Sequence, residues 1–173
     1  MAITVTASPT RLSWSDFVQL GQVIDPNDGT PQDSVTRFNY SIPDQPPRTV
    51  NGHQALAENL VITITPNAVV RTGASQTAAL LEHEQLHYDV GIVTARALAR
   101  ELMALRAHDV PTLASLLRQA VHLHFERRAG LIQDRYDRDS AHSRNANYQL
   151  VWNHAMASCL ANPHADRILG WWL

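Results

Sequence analysis

Two histidines bracket a glutamate in His83-Glu84-Gln85-Leu86-His87, an H-E-x-x-H run. On a helix, the i, i+4 spacing stacks both imidazoles one turn apart on one face. One tetrahedral metal can then reach both, at Zn–N distances of about 2.0–2.1 Å. Glu84 stands beside them, able to take a proton from a water whose pKa a metal lowers from 15.7 to about 7. The run therefore points to hydrolysis with one Zn2+ per chain, His83 and His87 as ligands, Glu84 as general base, and a peptide or protein as substrate. The bland alternative for such residues in mid-helix is a solvated face.

The element that must carry the run is a long helix over about residues 77–106. Apolar residues recur there at helical spacing, as in Leu86, Val90, Val93 and Ala97, so an amphipathic helix is expected. Ser75 or Thr77 can cap its start, and Pro111 helps end it after His108-Asp109. A second helical stripe follows through Leu113, Leu116, Leu117, Ala120, His124 and Leu131, and a third helix spans about Asn147 to Leu160. The short connection between the first two predicts antiparallel packing.

The first 70 residues read as strands and loops. Alternation marks strands at Ile3–Thr6, at Thr36–Ile42 and at Leu60–Thr65, with Leu60, Ile62 and Ile64 on one face of the last. Proline and glycine mark loops at 25–31 and 42–47. The fold class expected is α+β: one domain over 1–173, in which a small, mostly antiparallel N-terminal sheet packs on a helical part from residue 75 onward. The closing Trp171-Trp172-Leu173 reads as a packing plug.

Composition excludes other classes. The chain has 173 residues, 45% of them hydrophobic, enough for one domain with a core. All 14 of its Lys+Arg cations are arginine, set against 16 Asp+Glu, so no basic footprint points to nucleic acid. Its single cysteine, Cys159, excludes a disulfide framework and reads as a buried thiol. No apolar run approaches the about 18–20 residues that span a bilayer, and Met1–Thr6 has neither a charged n-region nor an apolar h-region.

A catalytic zinc needs a third protein ligand. Downstream candidates are His108, His122, His124, Asp137, Asp139, His142, His154 and His164. If the helical hairpin turns near residue 110, residues about 133–137 come level with His83 and His87, because both arms rise about 1.5 Å per residue. His122 and His124 then lie too near the turn and read as packing or surface histidines. Asp137 fits the level directly. His142 fits if the helix ends near Asp137 and the chain folds back over the site. Tyr136 would stand close by, either donating to an oxyanion or capping the helix pair. Asp89 is either a partner of the ligands or part of a helix ion pair near Arg96.

Leu80–Val90 followed by Ala95-Arg96 resembles the signature of a bacterial family of predicted secreted zinc-dependent proteases, which reads L-L-x-H-E-Q-x-H-F-D-I and then A-R-x-L. Leu12–Phe17 is similar to its L-x-W-x-D-F, Tyr136–His142 to its Y-D-x-x-T-x-H-G, and Gln149 with Trp152 to its Q-x-x-W. The resemblance covers nearly the whole chain, with the H-E-Q-x-H helix the specific part. It implies a zincin-like fold, His142 as third ligand ahead of Asp137, and a secreted or periplasmic location, although this chain shows no export signal. Departures are Leu86 and Ser143 at family glycines and Ser140 at a threonine; Ser143 bears on the loop that presents His142.

Two functions follow. In the first, a metallopeptidase lays an extended substrate along the strand at Leu60–Thr65, which Ile62→Pro would disrupt. In the second, an inactive, metal-stabilised module of the same fold binds a cell-envelope polymer or partner protein. Glu84 favours the first, because a structural zinc site has no need of a base.

Overall fold

The computed structural model describes residues 3–173, so Met1 and Ala2 of the N-terminal run lie outside the described residues. In chain order the strands are β1 (Thr4–Ala7), β2 (Val18–Leu20), β3 (Ser34–Ser41), β4 (Arg48–Val50), β5 (His53–Ala55) and β6 (Val61–Arg71), with a 3-10 turn at Trp14–Asp16 before β2. The helices are α1 (Ala78–Ala104), α2 (Val110–Val121), a π-helical stretch His122–Arg128, α3 (Ala129–Ser140) and α4 (Ala146–Ala161). A small ribbon of β7 (Arg167–Ile168) and β8 (Trp171–Trp172) follows. The fold is mixed α/β.

β6 is the centre of the main sheet, and its alternation explains why: Ile62, Ile64, Ala68 and Val70 all turn into the core. β3 pairs antiparallel along one side, and β1 and β2 pair parallel along the other. The expected mostly antiparallel sheet is thus corrected to a mixed one. The chain between β1 or β2 and β6 is long enough for the crossovers that parallel pairing requires. Pro66 sits within β6 without cost to the ladder. Leu60 O and Ile64 O accept from Thr4 N and Ser8 N, so even positions of β6 address the β1/β2 side. Pro66 faces the gap between β1, which ends opposite Ile64, and β2, which begins opposite Val69, where no strand needs its missing N–H.

α1 begins at Thr77, whose side chain accepts from Leu80 N, and ends at Ala104. Pro111 opens α2 behind its cap Asp109 instead of closing α1, since a proline in the first turn forfeits no intrahelical bond. Nor is α1 amphipathic through its middle: every residue from His83 to Thr94 is buried. One side packs on the sheet through Tyr88, Ile92, Leu98 and Leu102. The other packs on α3 and α4 through Leu86, Val90 and Val93, against Ile132, Tyr136, Trp152 and Met156. A helix covered on both sides carries an apolar surface all round, and polar residues within it need partners or a purpose.

The π-helical stretch turns both His124 and Phe125 inward. Phe125 meets Phe38 and Tyr40 of β3, and His124 Nε2 lies 2.8 Å from Glu101 Oε2 of α1. His122 is exposed. At the C-terminus the plug is Leu173, buried beside Ile168, while Trp171 and Trp172 are exposed. Trp172 instead lies under the Arg167 guanidinium, 3.7 Å from its ring centroid. Cys159 is a buried free thiol, pushed up by that burial.

Candidate metal centre

α1 and α3 bring three ligand atoms together. His83 Nε2 and His87 Nε2 are 3.2 Å apart, and Asp137 Oδ1 lies 3.2 Å from the first and 2.9 Å from the second. The i, i+4 spacing supplies the pair, and the antiparallel α1/α3 packing brings Asp137 level with it. Ligands at about 2.0–2.1 Å from a tetrahedral zinc stand about 3.3 Å from one another, so these separations fit one face of such a site.

The donor set could hold a metal ion between these atoms. His83 Nδ1 lies 3.2 Å from Gln149 Oε1 of α4. Gln149 is oriented by its own amide, which donates to Tyr136 Oη and, at 2.7 Å, to Asn153 Oδ1. The carbonyl of Gln149 therefore accepts from His83 Nδ1–H, and neutral His83 turns a bare Nε2 lone pair toward a carboxylate oxygen. Two lone pairs at that range repel unless a proton or a metal sits between them. Burial works against charge on Asp137, yet the neighbouring His87 and the contacts from His83 and His87 hold its carboxyl well below the usual range. Burial likewise opposes charge on His87, but Asp137 beside it raises its pKa above the ordinary value.

Glu84 is 2% exposed. Its Oε1 accepts from Ser34 Oγ of β3 at 2.6 Å, and its Oε2 is buried with no partner. Both histidines, Glu84, Asp137 and Ser34–Arg37 line one pocket of about 400 Å³, with Asp25, His142 and Arg144 also contributing to its walls. A free carboxylate oxygen beside three converging ligand atoms is what a general base requires.

His142 is not one of the three converging ligands. Its Nδ1 lies 3.5 Å from Asp137 Oδ1, and it also groups with Asp25 and Asp28. Asp137, and not His142, joins the two histidines in the buried cluster that could hold a metal ion. The reason is local: α3 runs through to Ser140, and Ala141, His142 and Ser143 then follow with φ of 49°, 50° and 69°. This left-handed turn carries His142 to the pocket wall. Ser143 occupies the backbone region that favours glycine.

Tyr136 is fully buried, and its hydroxyl does not line the pocket. It donates to His83 O at 3.4 Å and accepts from Gln149, while its ring stacks on His83 with centroids 4.6 Å apart. Burial pushes its phenol far above the ordinary value. The oxyanion role anticipated for Tyr136 is thus replaced by a backing role: it holds His83 from behind. Asp89 is also remote from the ligands. It accepts from Gln85 Nε2 at 2.8 Å, while Gln85 Oε1 takes Leu12 N at 2.6 Å and so clamps α1 to the N-terminal segment.

Ser34 and Thr36 escaped sequence reasoning, since short hydroxyl residues in a strand carry no spacing signal. Gln149 was visible only as a motif match, with no role attached. No family model, curated protein or solved structure matches the chain.

Proposed function

We propose that this chain is a zinc-dependent metallopeptidase of zincin-like fold, holding one Zn2+ through His83, His87 and Asp137 and using Glu84 as general base. The observation that carries this reading is the convergence of three ligand atoms within 3.2 Å of one another beside the unpartnered Glu84 Oε2. The resemblance of the H-E-Q-x-H helix to a zinc-protease signature agrees with it. A bound zinc would supply a water of lowered pKa and polarise the substrate carbonyl.

This chain's own residues do the rest. Glu84 Oε2 accepts the water proton as the oxygen adds to the peptide carbon, and returns it to the amine as the C–N bond breaks. Ser34 fixes the carboxylate through Oε1 and so aims Oε2. Asp137 balances charge at the histidine pair. Gln149 and Tyr136 hold His83 in one tautomer and one orientation.

The substrate strand is revised from the Leu60–Thr65 run. Most of that run lies in β6, the central strand, which pairs with β1 over Val61–Ile64 and with β3 from Thr63 onward. β3 pairs only with β6 among the described strands, and its Ser34–Arg37 segment borders the pocket. An extended peptide added to the outer edge of β3 would place a carbonyl near Glu84 with main-chain hydrogen bonds.

The test is cleavage of a mixed peptide library, followed by mass spectrometry, with zinc-loaded wild type and Glu84→Gln. Cleavage by wild type that falls by about 10²-fold or more in Glu84→Gln, with zinc retained, supports the reading. A zinc-loaded wild type that cuts nothing, or a Glu84→Gln that cuts equally well, overturns it.

A further inference from the structure

Two buried polar atoms in this pocket lack partners besides the Glu84 oxygen: His87 Nδ1 and Thr36 Oγ1. Thr36 is 2% exposed and His87 5% exposed, and both line the pocket. Both stand along the contact between β3 and α1. At one end of this contact Ser34 Oγ bonds Glu84, and at the other the Phe38 ring lies against Gly91. Thr36 lies midway between Ser34 and Phe38 on the same strand face, because strand side chains alternate. His87 lies between Glu84 and Gly91 at helical spacing of three and four, on the same helix face.

We infer that Thr36 is the positioning residue for His87: its hydroxyl accepts from His87 Nδ1–H, directly or through one water, when Nε2 faces a metal. The inference rests on the metal site proposed above and assigns its missing support. A ligating imidazole needs an acceptor on its other nitrogen to fix tautomer and ring orientation. His83 has that acceptor in Gln149 Oε1; His87 has none within hydrogen-bonding distance. A hydroxyl suits the position because it can accept from Nδ1–H when Nε2 is a ligand, while in the metal-free protein it has no partner. Asp25 is the charged group outside the triad that bears on His87 after Asp137 and Glu84. Its carboxylate is engaged by Asn27 N at 2.8 Å and gathers with Asp28 and His142, so Thr36 is the assigned acceptor.

The experiment measures zinc affinity by competition with a chelating dye for wild type, Thr36→Val, Thr36→Ser and Asp25→Asn, alongside thermal melting of each metal-free protein. Thr36→Val should bind zinc about 10–100-fold more weakly. Its metal-free melting point should be unchanged or higher, because an unpartnered buried hydroxyl is replaced by a methyl of the same shape. Thr36→Ser should restore the affinity. The inference is overturned if Thr36→Val binds as tightly as wild type, if Thr36→Ser is as weak as Thr36→Val, or if the loss appears in Asp25→Asn alone. A wild type that takes up no zinc overturns it together with the metal site. Intact affinity in Thr36→Val with a zinc-loaded wild type removes only the assignment of Thr36.

Discussion

Ser34 Oγ donates to Glu84 Oε1 at 2.6 Å, joining the first residue of β3 to the N-terminal third of α1. One carboxylate oxygen is thereby held, and the other is left without a partner in the pocket that the ligand triad also lines. Removing the hydroxyl loosens the base without touching a ligand atom. Ser34→Ala is expected to lower kcat about tenfold, equivalent to about 1.4 kcal/mol for one hydrogen bond to a charged group. Zinc content should be unchanged. Steady-state kinetics with metal analysis checks this, and an unaltered kcat would show that Glu84 needs no such anchor.

Gly91 lies in the middle of α1, where glycine costs about 1 kcal/mol relative to alanine. It is there because a Cβ would run into the Phe38 ring of β3. Gly91→Ala should therefore destabilise, with the overpacking cost of about 1–3 kcal/mol exceeding the gain in helix propensity. Urea unfolding of the metal-free protein measures it. An alanine variant more stable than wild type would mean that Phe38 moves aside freely.

His124 is 2% exposed and sits between Glu101 and Arg128. Burial above all, opposed by Glu101 and aided by Arg128, holds its pKa below the ordinary 6.5. Protons therefore bind the unfolded chain more tightly than the folded one. The stability linked to this group is complete above about pH 6.5 and is lost as the pH falls through the depressed folded value. Unfolding with chelator present, at pH 7.5 and pH 5, should show a larger acid loss for wild type than for His124→Gln. Equal losses would mean that His124 is not held neutral.

Much of this arrangement is legible in the residues themselves. The i, i+4 histidines fix which face of α1 must open on a pocket, and equal helical rise along two antiparallel arms brings Asp137 level with them. Other features are set by contacts far apart in sequence. Whether His142 or Asp137 meets the histidines depends on a three-residue left-handed turn that no periodicity announces. Whether the alternating run at Leu60–Thr65 is a centre or an edge depends on partners, and a period of two is the same in both. α1 reads as amphipathic because Leu86, Val90, Val93 and Ala97 recur on one stripe, yet α3 and α4 cover that stripe while the sheet covers another side, so the polar residues between are buried as well. The closing tryptophans read as core by residue type, but the C-terminal leucine is the one buried, and both tryptophans stay exposed, Trp172 under Arg167.

The most direct test of the central claim is the zinc content of wild type, Asp137→Ala and His142→Ala after zinc loading and desalting. The account predicts about one zinc per chain in wild type and in His142→Ala, and a sharp loss in Asp137→Ala. No zinc in wild type, or zinc kept in Asp137→Ala and lost in His142→Ala, would contradict it.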